Sequence, residues 1–207
     1  RNMHFWAKEA ATVEGMTGGG VADKDLTFNQ KFLRRLARVR GNAKGRFLYA
    51  LDVGAGIGRL AKHLLRPHCD AVDLLEPVPK HLELAKKTLR PWKGEFFCST
   101  LQDFGISGSK YDLVWCQWVL MYITDADVVD FLGRLASSFL TPAATVVVKE
   151  NVAQERVGSY FDDEEGELWR GDATSSNKRN KPMSVLRTPQ HYVKLFRESG
   201  FEVIMKR

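Results

Sequence analysis

The run from Leu51 to Arg59, which reads Leu-Asp-Val-Gly-Ala-Gly-Ile-Gly-Arg, constrains the fold of this chain more than any other stretch. An apolar stretch from Phe47 to Val53 leads into three glycines at alternate positions, and a helical pattern begins at Arg59. This order predicts a strand, a tight turn and a helix. Glycines in such a turn let a ligand approach the main chain closely, and the helix N-terminus offers N–H groups to its polar atoms.

A second apolar run ends in a carboxylate, at Leu74-Leu75-Glu76, about one strand and one helix further along the chain. An acid at the end of the second strand commonly accepts hydrogen bonds from a ribose. The glycine turn and Glu76 together favour a nucleoside-containing cofactor over a purely structural turn.

Apolar runs alternate with helical periods along the rest of the chain. Strands are predicted near 47–53, 70–76, 94–98, 111–116 and 144–149, with a weaker one near 201–205, and helices near 59–65, 79–89, 125–140 and 189–199. Thr124 is expected to cap the third of these helices and Thr188 the fourth. The alternation predicts an α/β fold of Rossmann-like type, with a mostly parallel sheet covered by helices on both faces.

The N-terminal part of the chain does not follow this alternation. His4-Phe5-Trp6 is predicted to lie on a short helix, Gly15 to Gly20 to form a flexible hinge or a close-approach loop, and Asp25 to Arg40 to form a helix with a basic outer face. We expect a single domain over 1–207, with a helical cap over 1–45 and a core over 46–207 that carries an insertion near 158–182. The cap could close the fold or cover the site, and Trp6 could pack in the core or face a substrate.

Composition limits the class of protein. The chain has 207 residues, a formal net charge of +6 and three cysteines without metal-ligand spacing, at positions 69, 98 and 116. We interpret the cysteines as buried free thiols in a reducing compartment, the cytosol or the nucleus. The charge could serve a nucleic-acid or acidic partner, or could belong to a moderately basic soluble enzyme, because it is scattered along the chain. No membrane partner is expected, since no run approaches a transmembrane span.

Polar residues gather where the predicted strands end. They are Gly54 to Arg59, Glu76 to Val78, Leu101 to Asp103, Gln117-Trp118 and Glu150-Asn151. Ligands of a parallel α/β sheet bind outside the carboxyl ends of its strands, where the strand order reverses. These residues are therefore expected to line one cofactor pocket, with Gln117 and Trp118 near the reacting end of the ligand.

Several stretches carry a resemblance to a known family: Thr12 to Gly19, Leu51 to Arg59, Leu101 to Phe104, Tyr111 to Val119 and Val148 to Glu155. The glycine loop is similar to the cofactor-binding loop of class I S-adenosylmethionine-dependent methyltransferases. The Gln-Trp pair at 117–118 and the Asn-x-Ala-Gln-Glu run at 151–155 resemble, more narrowly, the protein alpha-N-terminal methyltransferases. These methylate the α-amine of proteins that begin X-Pro-Lys.

The resemblance implies a cofactor site for S-adenosylmethionine. Gly54, Gly56 and Arg59 would hold the methionine end, with the guanidinium pairing with its carboxylate. Glu76 would take the ribose hydroxyls, and Gln117 would lie near the methionine moiety. The adenine would be lined by Pro77, Val78, Leu101 and Gln102. No metal is required.

The resemblance also implies a peptide site. Trp118 and Trp6 would form walls of its channel, Gly18 would approach the substrate backbone, and Asn151 would hydrogen-bond the first substrate residue. Asp162, with Asp163 second, would receive the substrate lysine, and Ser184 would match a serine of the peptide site. The substrates would be proteins with an exposed X-Pro-Lys N-terminus; we expect a monomer and no nucleic-acid partner.

Three departures from the family pattern affect these assignments. Tyr122 stands where the family has a histidine, and a phenol is a poor base near neutral pH. The short acidic segment of the family is expanded here into Gly158 to Pro182, which contains the acids of 162–165. The family also continues with one more strand after a segment like 201–205, where this sequence ends at Arg207.

Two other functions stay open on the sequence alone. One is a methyltransferase of the same fold that acts on RNA or a small molecule; the basic helix at Lys31 to Arg40 would suit RNA, although no aromatic-basic interleaving accompanies it. The other is a catalytically silent methyltransferase-like interaction module, against which the intact glycine loop and Glu76 argue. A nicotinamide dehydrogenase is disfavoured, because no candidate acid–base residue accompanies the loop. If methyl transfer is the reaction, Asn151, Asp162 and Tyr122 are the residues expected nearest to the chemistry.

Overall fold

A computed structural model of the protein describes residues 2–41, 45–105, 110–154 and 184–206. Before the sheet lie the helices α1 (Asn2–Lys8), α2 (Val13–Thr17) and α3 (Ala22–Val39), and after its first strand come α4 (Pro79–Thr88), α5 (Asp125–Arg134) and α6 (Pro189–Glu198). Short π-helical segments cover Ala61–Leu65 and Leu135–Phe139, and a 3₁₀ turn covers Leu120–Tyr122. In these parts of the chain no helix combines the length and apolarity needed to cross a bilayer.

The sheet has five strands, β1 (Phe47–Val53), β2 (Cys69–Leu75), β3 (Phe96–Phe97), β4 (Tyr111–Gln117) and β5 (Leu140–Lys149). Their spatial order is β3-β2-β1-β4-β5, and every neighbouring pair is parallel. The order reverses between β1 and β4, so a crevice opens outside the carboxyl ends of these two strands. The prediction of a Rossmann-like α/β fold is confirmed.

Both faces of the sheet are covered, as the near-continuous apolar strands require. Successive side chains on β4 point to opposite faces: Trp115 packs in one buried cluster with Leu36 of α3, and Val114 packs in the other with Phe131 of α5. Helix α3, the last of the three helices before the sheet, is therefore part of the core of the described structure. Apolar packing against the sheet fixes its position.

The helix caps agree with the sequence. The Thr124 side chain and Asp127 form a reciprocal capping box at the start of α5. Thr188 caps α6 with Pro189 at its first position, and Gly200 follows the helix with a φ of 83°. A left-handed residue of this kind, just beyond the last turn, ends a helix at little steric cost when it is glycine.

Three expectations were wrong. Residues 201–206 form no strand; Phe201 and Met205 pack against the two core clusters, so their alternation reflects burial without sheet pairing. Gly15 belongs to α2, where an added Cβ would lie 2.2 Å from the Ala10 carbonyl oxygen. Within 15–20, positive φ is confined to Gly18, Gly19 and Gly20. Cys98 is exposed, whereas Cys69 and Cys116 are buried.

Arg187 ties the segment before α6 to the turn that follows β4. Its guanidinium is fully buried and donates to Asp125 Oδ1 at 2.7 Å, to the Leu120 carbonyl at 2.9 Å and to the Ile123 carbonyl at 2.8 Å. All three acceptors lose this donor if the side chain is removed, and buried groups that lose a hydrogen bond are costly.

We predict that Arg187→Leu lowers the free energy of unfolding by about 3 kcal/mol or more. The control is Arg197→Leu in the last turn of α6, whose exposed side chain should contribute less than about 0.5 kcal/mol. Denaturant unfolding followed by circular dichroism measures both. An equal decrease in the free energy of unfolding in both variants would contradict a stabilising role for the buried contacts of Arg187.

Candidate active site at the carboxyl ends of β1 and β4

A cavity of about 560 Å³ lies outside the carboxyl ends of β1, β2 and β4. Its volume is within the range of small-molecule and cofactor sites. The cavity brings together residues that the sequence singled out, namely Trp6, Gly54, Gly56, Arg59, Glu76, Pro77, Val78, Leu101, Gln102, Asp103, Gln117, Trp118 and Tyr122. The roles implied for these residues require a single pocket, and this cavity provides it.

The glycine loop forms a close-fitting cradle. Gly54 has a φ of 69°, and a Cβ built on it would lie 2.7 Å from Cγ2 of Val119. Its N–H and that of Ala55 donate to the Leu75 carbonyl at 2.9 and 3.0 Å, which fixes the loop to the end of β2. A side chain at Gly54 would therefore clash with the turn after β4 and strain the backbone.

Glu76 is buried at the end of β2 and is held by the main chain. Its Oε2 accepts from the Gly56 N–H at 2.9 Å and its Oε1 accepts from the Val78 N–H at 2.9 Å. A carboxylate has about four acceptor positions, so these two bonds orient Glu76 and leave capacity for donors such as ribose hydroxyls. The chemistry and orientation of this group fit a nucleoside ligand.

Asp52 lies beneath the loop and also lines the cavity. Burial raises the pKa of Asp52 to about 7. The hydrogen bond that its Oδ2 accepts from the Ala61 N–H at 3.0 Å acts in the opposite direction and lowers the pKa. This carboxyl group can therefore change its charge near neutral pH on the lining of the cavity.

A polar network closes the cavity beneath Arg59 and Gln117. Asp25 of α3 accepts from Arg59 Nη2 at 2.7 Å and from Gln117 Nε2 at 2.9 Å, and it pairs with Lys149 Nζ. Asn29, one turn further along α3, donates to Gln117 Oε1 at 2.8 Å. Two residues implied in cofactor binding are therefore held by side chains of the N-terminal helix.

Aromatic rings form the other wall. The rings of Trp6 and Tyr122 meet edge-on at 5.6 Å between centroids, and the Asn2 side chain donates to the Tyr122 carbonyl at 3.1 Å. Trp118 has a φ of 54°, the only positive value among the non-glycine residues described. Helix α1 thus packs across the crevice onto the turn after β4.

Glu150 supports this turn from below. Its Oε1 accepts from the N–H groups of Val119 at 2.9 Å and Leu120 at 2.8 Å. Its Oε2 is buried without a hydrogen-bond partner among the residues that the structure describes. Burial raises the pKa of Glu150 to about 7, although those two backbone hydrogen bonds act to lower the pKa. Burial, together with the charge of Glu150, also raises the pKa of Tyr122, which keeps its phenol protonated near neutral pH.

Other candidates lie apart from the cavity lining or beyond the described residues. Asn151 is exposed two positions after β5 ends, and Ser184 is partly buried at the start of the segment that returns to α6. Gly18 is exposed, directly after the lining residue Thr17. Asp162 and Asp163, with the whole insertion near 158–182, fall outside the described residues.

Sequence reasoning missed Asp25 and Asn29, although a signal was present. Their spacing of four, followed by Leu33 and Leu36, places two polar residues on the inward stripe of an amphipathic helix. Buried polar groups in such a stripe require partners, so these positions could have been marked as part of a site. The cavity also has lining residues outside every motif that the sequence offered: Asn2, Met3, Leu60, His81, Thr100 and Ile123.

Comparison with known proteins identifies relatives of this chain. Residues 1–181 match the model of a family described as AdoMet dependent proline di-methyltransferase. N-terminal Xaa-Pro-Lys N-methyltransferase 1 of Xenopus tropicalis is 40% identical over 171 residues, which cover 80% of this chain and 75% of the relative. The protein of the same name from Bos taurus is 38% identical over 189 residues, covering 88% of this chain and 82% of the relative.

A solved structure is also similar over nearly the whole chain. A SAM-dependent methyltransferase of Leishmania major has a TM-score of 0.77 and 32% sequence identity, and the match covers 99% of this chain and 73% of that protein. The fold is thus shared with a protein of related sequence.

The raised pKa of Glu150 predicts a specific pH dependence of stability. Between its ordinary pKa and about 7 the folded chain holds a proton that the unfolded chain releases. The free energy of unfolding therefore falls as the pH rises through this interval. Glu150→Gln keeps an acceptor for the Val119 and Leu120 N–H groups but cannot ionise. Between about pH 5 and pH 8, its free energy of unfolding should therefore fall by about 2 kcal/mol less than that of the unaltered protein.

Denaturant unfolding at the two pH values measures this difference. Glu202→Gln, which removes an exposed carboxylate, serves as the control and should leave the pH dependence unchanged. Identical pH dependence in Glu150→Gln and in the unaltered protein would contradict the assignment of a buried, partly protonated Glu150.

Proposed function

The chain belongs to the AdoMet-dependent proline di-methyltransferase family, and we propose that it transfers methyl groups from S-adenosylmethionine to the α-amino group of proteins that begin Xaa-Pro-Lys. One observation carries the proposal: a nucleoside-fitting cradle and an aromatic wall share a single cavity at the switch point of the sheet. Both reactants can thus meet within it.

The cofactor would lie along the carboxyl ends of β1 and β2. Arg59 would pair with its carboxylate, Glu76 would accept from the ribose hydroxyls, and Leu101 and Gln102 would border the adenine with Pro77 and Val78. The orientation of Glu76 by two backbone N–H groups supports this assignment. When bound there, S-adenosylmethionine supplies an electrophilic methyl group.

The substrate amine would lie between Trp6 and Trp118. An α-amino group titrates near ~8, so an appreciable fraction is neutral at pH 7, and desolvation by these rings would increase that fraction. Tyr122 would act as a hydrogen-bond donor that orients the substrate, since its raised pKa makes it a poor base. Orientation of the amine would then supply much of the acceleration.

The remaining peptide contacts are assigned by family resemblance. Asn151 would fix the first substrate residue, Gly18 would approach the peptide backbone, and Ser184 would add a polar contact. Asp162, or Asp163 beside it, would receive the substrate lysine, because an acidic group offsets the net charge of +6 that repels a basic peptide.

We further propose that the protein acts as a monomer in the cytosol or nucleus. The absence of disulfides at Cys69, Cys98 and Cys116 supports a reducing compartment.

A methyl-transfer assay with two peptides tests the proposed function. One peptide begins Ser-Pro-Lys with a free α-amine, and its control is identical but N-acetylated. We predict that mass spectrometry detects added methyl groups on the free peptide only, because acetylation removes the nucleophile. Methylation of neither peptide by a protein that binds S-adenosylhomocysteine would contradict the proposal and direct attention to RNA or small-molecule acceptors.

A matched pair of variants after β5 tests the peptide site. Asn151→Ala should lower kcat/KM for the peptide by about 10- to 100-fold, the effect of losing one well-placed hydrogen bond, and should leave the cofactor Kd within about twofold. Its neighbour Val152 is also exposed, so Val152→Ala truncates a side chain of similar size. Similar kcat/KM values for the two variants would exclude the role of Asn151.

A further inference from the structure

Asp25 is a buried carboxylate that the glycine loop and the aromatic wall do not include. It lies in the first turn of α3, its side chain is 4% exposed, and it forms ion pairs with Arg59 and Lys149. Burial alone would raise its pKa, but hydrogen bonds from Lys149, Arg59 and Gln117 outweigh burial and lower it. Asp25 therefore stays ionised at neutral pH.

The network restricts Gln117 on both sides of its amide. Nε2 donates to Asp25 Oδ1 at 2.9 Å, while Oε1 accepts from Asn29 at 2.8 Å and from Trp115 Nε1 at 3.2 Å. These contacts define one orientation of the amide, with Nε2 on Asp25 and Oε1 on Asn29 and Trp115. An amide held in this way contacts a ligand without first losing rotational freedom.

Arg59 is restricted in a similar way. Nη2 donates to Asp25 Oδ2 at 2.7 Å, and Nη1 lies 3.5 Å from the Ala22 carbonyl oxygen. A guanidinium has five N–H donors in a fixed plane, so a guanidinium anchored on one edge still presents donors on another. One carboxylate and two cations meet here, which leaves one net positive charge among Asp25, Arg59 and Lys149.

We propose that Asp25 is a positioning residue for the amino-acid end of the cofactor, acting from the N-terminal helix by fixing Arg59 and Gln117. The inference rests on the proposed function only in that the ligand is S-adenosylmethionine. Helix α3 would then be part of the cofactor site. The sequence alone indicated only that this region could close the fold or cover the site. The ligand that this site would bind carries an α-amino acid carboxylate joined to a nucleoside.

Asp25 could instead compete with that carboxylate for Arg59, and the two roles predict opposite effects of its removal. Asp25→Asn nearly preserves the shape of the side chain and leaves Arg59 and Lys149 without an anion. If Asp25 competes with the ligand, its removal should tighten ligand binding, because the site becomes more positive. If Asp25 positions Arg59 and Gln117, its removal should weaken ligand binding, because these two side chains lose their fixed geometry.

Calorimetry with two ligands tests the proposal. S-adenosylhomocysteine carries the amino-acid end, and 5′-methylthioadenosine has the same nucleoside without it. We expect Asp25→Asn to raise the Kd for S-adenosylhomocysteine about 10-fold or more and the Kd for methylthioadenosine less than about twofold. Asp23→Asn, an exposed acid in the same helical turn, is the matched control and should change neither.

Asn29→Ala provides a second, milder variant that keeps every charge. It removes the donor to Gln117 Oε1 and should raise the Kd for S-adenosylhomocysteine about threefold, again without an effect on methylthioadenosine. This variant decides the question if Asp25→Asn fails to unfold cooperatively on heating.

Three results of the calorimetry on Asp25→Asn would overturn the proposal. Equal weakening of both ligands would indicate a merely structural role, tighter S-adenosylhomocysteine binding would indicate competition, and unchanged affinities would exclude Asp25 from the site. A protein that binds S-adenosylhomocysteine but methylates no Xaa-Pro-Lys peptide would contradict the proposed function alone, with Asp25 still decided by calorimetry. A protein that binds neither ligand would contradict both.

Discussion

A buried carboxylate is costly unless cations and hydrogen-bond donors surround it, and Asp25 obtains these from residues at or after the ends of β1, β4 and β5. Arg59 follows β1, Gln117 ends β4 and Lys149 ends β5, and all three contact this one side chain of α3. The helix is also packed by apolar contacts against the sheet. The position of the N-terminal helix and the geometry of the cavity floor are therefore set together, since moving α3 away would expose unpaired charges.

The two walls of the cavity depend on one another as well. Trp118 has a backbone conformation that is unfavourable for a large side chain, and Glu150 stabilises the turn after it by accepting two backbone N–H groups. Val119 in the same turn occupies the space that a Cβ on Gly54 would need. The turn of the aromatic wall and the glycine cradle are therefore direct neighbours.

The sequence predicted what depends on local pattern and missed what depends on long-range partners. The strand–glycine–helix order, the acid at Glu76 and the polar residues at strand ends are local signals, and they indicated the Rossmann-like fold and most of the cavity lining. Asp25 pairs with Gln117 across 92 positions, and no spacing rule specifies such a partner. The alternation at 201–205 shows the converse, because period-two burial is necessary for a strand but does not supply the neighbouring strand that a sheet requires.

In the proposed reaction, one crevice holds both the cofactor and the amine that receives the methyl group. A crystal structure of the protein with S-adenosylhomocysteine and a Ser-Pro-Lys peptide would test this arrangement. We predict the ligand carboxylate at Arg59, the ribose at Glu76, and the peptide α-amine between Trp6 and Trp118, facing the ligand sulfur. A peptide N-terminus bound elsewhere, or an amine separated from the sulfur by the aromatic wall, would contradict it.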